Sequence, residues 1–209
     1  MIKYIRKRWN EYWDKKSWFS KLTDLLFILL LIAMLIPASR KAIRIAASRV
    51  IAFSPKTISE ENQTVLEPST YDWVIFDLNG NSVPFSQFRG QAVFLNFWAT
   101  WCAPCIAEMP DIQDLYNDFG DQAAFVLVSD ESPERIRHFM EQRKMDMPVY
   151  VRRGGVPHDF ASNSIPVTYV ISPQGQVVIR KTGVAKWNSK SMQQLMQQLV
   201  GQSVKPNGI

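Results

Sequence analysis

Val93–Pro110 reads Val-Phe-Leu-Asn-Phe-Trp-Ala-Thr-Trp-Cys-Ala-Pro-Cys-Ile-Ala-Glu-Met-Pro, and the rest of the chain is organised around it. Its first part, Val93–Phe97, is a short apolar run rich in β-formers and suits a buried strand. Beyond it the period changes. Ile106, Met109, Ile112, Tyr116 and Phe119 recur every three or four residues, the spacing of one helix face. Cys102 and Cys105, the chain's two cysteines, fall at the changeover, in the first turn of a helix expected over 102–119.

A thiolate is the nucleophile of disulfide exchange, and the unpaired N–H groups and macrodipole of a helix start stabilise a negative sulfur. In this position Cys102 is the exposed attacking thiol, and Cys105, one turn further in, resolves the mixed disulfide. Pro104 costs little there, because the amide proton it lacks has no intrahelical partner in the first turn. The Ala103-Pro104 pair leaves both sulfurs room to close a short ring. Half a metal site and a pair of inert buried thiols are the competing readings. A zinc site takes about four ligands, and the histidines His138 and His158 are not at finger spacing from the cysteines.

Phe97 to Cys105, Phe-Trp-Ala-Thr-Trp-Cys-Ala-Pro-Cys, resembles the active-site stretch of the thioredoxin superfamily. With Glu108 and Pro110 behind it, the layout is similar to the membrane-anchored TlpA/ResA branch of thiol–disulfide oxidoreductases, over roughly 65–200. The resemblance implies an α/β thioredoxin-like fold, a mixed central sheet with helices on both faces. It implies a cis proline at Pro166, so that Ile165 turns its backbone towards the cysteines and pairs with an extended substrate segment. Read alone, a proline opening a strand is as easily a trans residue at a sheet edge.

Thioredoxin itself carries a buried aspartate on the central strand as proton acceptor for the resolving cysteine. Asn96 stands at that position here and cannot take a proton. Glu108, three residues past Cys105 on the same helix face, is the expected replacement, and the TlpA/ResA branch has an acidic residue there. The plain alternative is a solvated glutamate favoured by the helix dipole. Trp101 is expected to shield the sulfurs and offer a contact surface, and Trp98 to pack.

The charge of +5 is uneven. Residues 1–56 hold twelve Lys/Arg against Glu11, Asp14 and Asp24, about +9, which leaves about −4 for the remainder. A mildly acidic domain excludes nucleic acid as its expected partner. Leu25–Ile36 is apolar throughout, and 22–39 is expected to be a transmembrane anchor at the short end of the range. Lys3, Arg6, Lys7, Arg8, Lys15, Lys16 and Lys21 precede it with Trp9, Tyr12, Trp13 and Trp18. The positive-inside rule then keeps the N-terminus cytoplasmic and sends the domain to the periplasmic or extracytoplasmic side. Arg40, Lys41, Arg44 and Arg49 on the far side narrow the margin. A cleaved signal peptide is the rival, with Ala46-Ala47-Ser48 a late and weak site.

The expected organisation is a basic segment at 1–21, the anchor at 22–39, a juxtamembrane linker at 40–64, a thioredoxin-like domain at 65–203 and a tail at 204–209. Residues 40–53 suit either an amphipathic surface helix or a plain linker. Asn79-Gly80 marks a hairpin between Trp73–Leu78 and Ser82–Phe85. Strands over 123–129 and 148–152, a Ser132-capped helix, a Ser172–Gly175 turn and an amphipathic helix over 189–200 follow, and Pro110 is expected to kink the active-site helix.

The function these readings imply is exchange of disulfides with protein substrates, through Cys102, Cys105 and Glu108, with Trp101, Ile165 and Pro166 at the substrate. No cofactor or metal is expected. The resemblance adds a reductant's role of the cytochrome c maturation type, with electrons from a membrane thiol carrier. A disulfide oxidant or isomerase on the same site, a copper metallochaperone holding the metal by both sulfurs, and a non-catalytic binding module are the alternatives.

Overall fold

The computed structural model describes residues 17–35 and 37–203, so the basic leader before Ser17 and the tail 204–209 lie outside the described residues. Contacts divide the chain into two units, 1–44 and 45–209.

In the N-terminal unit the chain forms helix α1, Trp18–Leu35, and begins helix α2, Pro37–Val50, which continues into the second unit. The single anchor expected over 22–39 is therefore not met. Among the described residues no helix is long and apolar enough to cross a membrane. Lys21 and Asp24 sit in the first two turns of α1.

The second unit is built on β4, Val93–Phe97, every residue of which is buried. Strand alternation sends Val93, Leu95 and Phe97 into one apolar cluster and Phe94, with Trp98 just beyond, into the other. A strand covered on both faces has no reason to alternate with polar residues, which is why it reads as a continuous apolar run. The other strands are β1 Thr64–Val65, β2 Val74–Asp77, β3 Ser82–Pro84, β5 Ala124–Ser129, β6 Val149–Arg152, β7 Val167–Ile171 and β8 Gln176–Thr182. They make one sheet in the order β1-β8-β7-β4-β5-β6-β2-β3. β4 runs parallel to β5 and antiparallel to β7, so the sheet is mixed as expected.

Helix α3, Ala103–Phe119, buries Ile106, Met109, Ile112, Leu115 and Phe119 on the expected face and carries through Pro110. Helix α4, Pro133–Arg143, is capped by the Ser132 hydroxyl, and helix α5, Lys190–Gly201, by that of Ser189. The expected helical cover of both faces is met unequally. The large buried apolar residues of α3, α4 and α5 join the Phe94–Trp98 cluster. Opposite them lie shorter pieces, the 3-10 turns Pro68–Asp72, Phe85–Phe88 and His158–Phe160, which bring Phe85, Phe88 and Phe160 into the other cluster. β4 to β5 and β5 to β6 are successive parallel steps in the same direction across the sheet, and right-handed crossovers then put α3 and α4 on the same side.

The hairpin forms as expected, β2 against β3, with Gly80 at φ +88° and the Asp77 carboxylate accepting from the Asn79 and Asn81 amides. The linker expected over 40–64 is not free. Ile45 packs on the core, Ile58 N–H bonds Val178 O, and Thr64–Val65 pair with Val177 and Gln176. This covers the edge that β8 would otherwise expose.

The turn between β7 and β8 leaves no room for a side chain at Gly175. Its φ is +83°, and a Cβ there would meet Tyr71 Oη at 2.7 Å. Gly175→Ala is expected to lower unfolding free energy by about 1–2 kcal/mol for the left-handed backbone alone, and urea denaturation that returns the native midpoint would contradict this reading of the turn.

Candidate active site

Cys102 is the N-cap of α3, with extended backbone (φ −79°, ψ 104°), and Pro104 lies in the first turn. Its Sγ accepts the Cys105 N–H at 3.2 Å, one of the donors the helix start leaves unpaired. The two sulfurs are joined at 2.11 Å with Cα atoms 5.2 Å apart. Cys105 is fully buried and Cys102 is 5% exposed, while Trp101 beside them is 65% exposed. Cys102, expected as the exposed thiol, is thus buried in the disulfide form, and the exposed group beside it is the Trp101 indole.

The Ile165–Pro166 peptide is cis, and the Ile165 carbonyl oxygen lies 3.9 Å from Cys102 Sγ. Trp101 and Ile165 also line a cavity of about 330 Å³, together with Asn163, Ser164 and the ion-paired Arg152 and Asp130, 3.1 Å apart. Cys102, Cys105, Trp101 and Ile165 are therefore brought together as the sequence led one to expect.

Glu108 is not a solvated helix glutamate. It is 1% exposed and held from two directions. Asn96 Nδ2 on β4 donates to Oε1 at 3.0 Å, while Trp187 Nε1 and the Ala185 N–H donate to Oε2 at 2.9 and 3.3 Å. Burial pushes its carboxyl up from 4.5 to about 7, against the opposing pull of the hydrogen bonds from Trp187, Asn96 and Ala185. Asn96 also donates to Thr168 Oγ1 at 2.8 Å, across the β4–β7 pairing. Its Oδ1 is buried without a partner. Trp98 packs on Phe139 as expected, and its Nε1 likewise has no partner among the described residues.

Sequence reasoning missed three contributors. Ala185 and Trp187 lie 77 and 79 positions from Glu108, and no local pattern points to them. Glu131 is the third. Its carboxylate accepts from Thr100 N–H at 2.5 Å and Thr100 Oγ1 at 2.7 Å, so it pins the loop that carries Trp101 and Cys102. The histidines stand apart from the sulfurs: His138 pairs with Gln142, and His158 is grouped with Glu67 and Asp159. That group, whose ligand atoms lie within 4.8 Å of one another, is the one cluster of possible metal ligands among the described residues and contains neither cysteine.

A model of the AhpC/TSA family matches residues 67–180. Over 123 residues the chain is 29% identical to thiol-disulfide oxidoreductase ResA of Bacillus cereus, covering 57% of this chain and 71% of that protein. It is 32% identical over 127 residues to thioredoxin-like protein YneN of Bacillus subtilis, covering 59% and 74%. A solved thiol:disulfide interchange protein of the thioredoxin family from Chlorobium tepidum superposes with a TM-score of 0.53 at 20% identity, covering 71% of this chain and 97% of that one. The structural likeness shows a shared thioredoxin-like fold.

Because the folded carboxyl of Glu108 holds its proton more tightly than an unfolded one, the folded state carries the extra proton between pH 4.5 and about 7. Stability from this group is present at the acid end of that window and is lost as pH rises through it, by about 3 kcal/mol. Glu108→Gln is expected to flatten that fall. Urea titrations at pH ~5 and ~8 check it, and a native and variant protein with the same pH dependence would contradict the assignment.

Proposed function

Because the chain belongs to the AhpC/TSA family, whose model spans residues 67–180, we propose that it is a thiol–disulfide oxidoreductase that reduces disulfides in protein substrates. The observation that carries this is the Cys102–Cys105 disulfide closed on a helix start, with the Ile165 carbonyl 3.9 Å from the outer sulfur. The names of the relatives support the reaction class.

In the reducing direction the Cys102 thiolate attacks one sulfur of the substrate disulfide. A Cys102–substrate disulfide forms and one substrate thiolate leaves with a proton from solvent. Cys105 then gives its proton to Glu108 and attacks Cys102 Sγ. The Cys102–Cys105 disulfide forms, the second substrate thiolate leaves, and two electrons have passed from enzyme to substrate. The helix start stabilises the Cys102 thiolate, both as nucleophile and as leaving group. A carboxyl with its pKa near 7 takes a thiol proton and gives it up again at ordinary pH, which a carboxyl at 4.5 does poorly. Trp101, Ile165 and Pro166 form the surface on which an extended substrate segment rests, its backbone pairing with that of Ile165.

The same proposal includes attachment of the N-terminal segment to a membrane, an extracytoplasmic position for the domain, renewal of the dithiol by a membrane thiol carrier, and a role of the cytochrome c maturation type. Supporting the attachment are the exposed side chains of Leu25 to Ile32 on α1 and the excess of cations before residue 57.

With a dithiol as reductant, the full chain is expected to reduce insulin disulfides, and Cys102→Ser to abolish the activity. Cys105→Ser should accumulate a mixed disulfide through Cys102, and Glu108→Gln should slow turnover by about 10²-fold. A couple far more oxidising than about −270 mV would instead favour the oxidant direction. The chain is also expected to pellet with membranes and to be released when residues 1–38 are deleted; an undeleted chain that stays in the supernatant would contradict the attachment.

A further inference from the structure

The Glu108 side of the site is closed by residues that precede the expected domain. Ile45 packs on the core cluster that contains both cysteines. Arg49 Nε donates to the Ala107 carbonyl at 3.2 Å, on the turn of α3 that carries Glu108. Phe53 forms a parallel bridge with Ala185, and its carbonyl accepts the Lys186 N–H at 3.0 Å. Ala185 and Trp187, on either side of that bond, are the residues that donate to Glu108 Oε2. Through Arg49 and Phe53 the segment 45–53 therefore touches both halves of the carboxyl's surroundings, the helix turn and the segment facing it.

Arg49 reaches the backbone of α3 itself, at the Ala107 carbonyl. The charges facing the region are Asp111 and Asp114 on α3, Lys186 on the segment before α5, and Arg49 itself. Burial, then Asp114, raises the half-buried Asp111 carboxyl, and Lys186, Arg49 and the Trp187 N–H pull it back.

We propose that residues 45–53 are a strap that positions Glu108, with Arg49 holding the Ala107 turn and Phe53 the Ala185–Trp187 segment, so that water is kept from the carboxyl. This rests on Glu108 being the proton acceptor for Cys105. Arg49 touches no reacting atom and acts as a positioning residue, through the two elements that enclose Glu108.

The test uses the full chain as native, Arg49→Ala, Arg49→Lys and Glu108→Gln. Two quantities are read: hydrogen exchange at the Ala185 and Lys186 amides, and the pH profile of thiol–disulfide exchange. In Arg49→Ala both amides are expected to exchange at least about tenfold faster, and the ionisation near pH 7 to move down by about one pH unit as water reaches the carboxyl. Arg49→Lys keeps a cation and a donor and is expected to restore most of both. Native exchange rates in Arg49→Ala overturn the strap. So does a rate that falls equally at every pH, since that is the mark of a merely structural role. An ionisation that persists in Glu108→Gln overturns the assignment of Glu108 instead, and amide exchange still decides the strap.

Discussion

A carboxyl sealed from water one helical turn behind a sulfur pair is the constraint that the rest of this structure serves. An ionised glutamate buried without partners is untenable, and a fully solvated one has a pKa too low to exchange protons with a thiol. Glu108 lies between these limits. Three donors from two elements keep its charged form possible, and burial keeps its neutral form accessible. Asn96 has to be an amide for this to work. An aspartate there would face Glu108 with a second negative charge, whereas the amide donates to Glu108 and Thr168 together and leaves only its own oxygen unpaired.

The same helix meets an opposite demand one turn earlier, at its N-cap. Cys102 caps α3 and takes the Cys105 N–H, so the positive pole of the helix faces its sulfur. Glu131 fixes the preceding loop through Thr100, and the Ile165 carbonyl approaches from β7. The sulfur side is polarised and partly open, and the carboxyl side is dry and closed. One helix start supplies both environments, its N-cap at the sulfurs and its next turn around the carboxyl.

Much of this was legible because it is local. The strand-to-helix change at Phe97–Cys102, the cysteine spacing, the Asn79-Gly80 turn and the Ser132 cap are each decided within a few residues by backbone geometry and hydrophobic period. The partners of Glu108 were not legible, because two are backbone or indole donors more than seventy positions away and have no period of their own. Nor was the side of the sheet taken by α4, since periodicity says that a helix has a buried face and not which layer receives it. The strap was hidden for a related reason: its bonds are made by one arginine and two main-chain groups, and composition there reads as a linker. The anchor expectation followed hydropathy and flanking charge, and among the described residues no helix is long and apolar enough to meet it.

The protonation state of Glu108 is the most direct point at which to test this account. Infrared titration of the carboxyl stretch, with Glu108→Gln as the subtraction reference, reads it without reference to activity. The account places half-protonation at about 7. A carboxyl band that has vanished by pH ~5, as for a solvated glutamate, would contradict it.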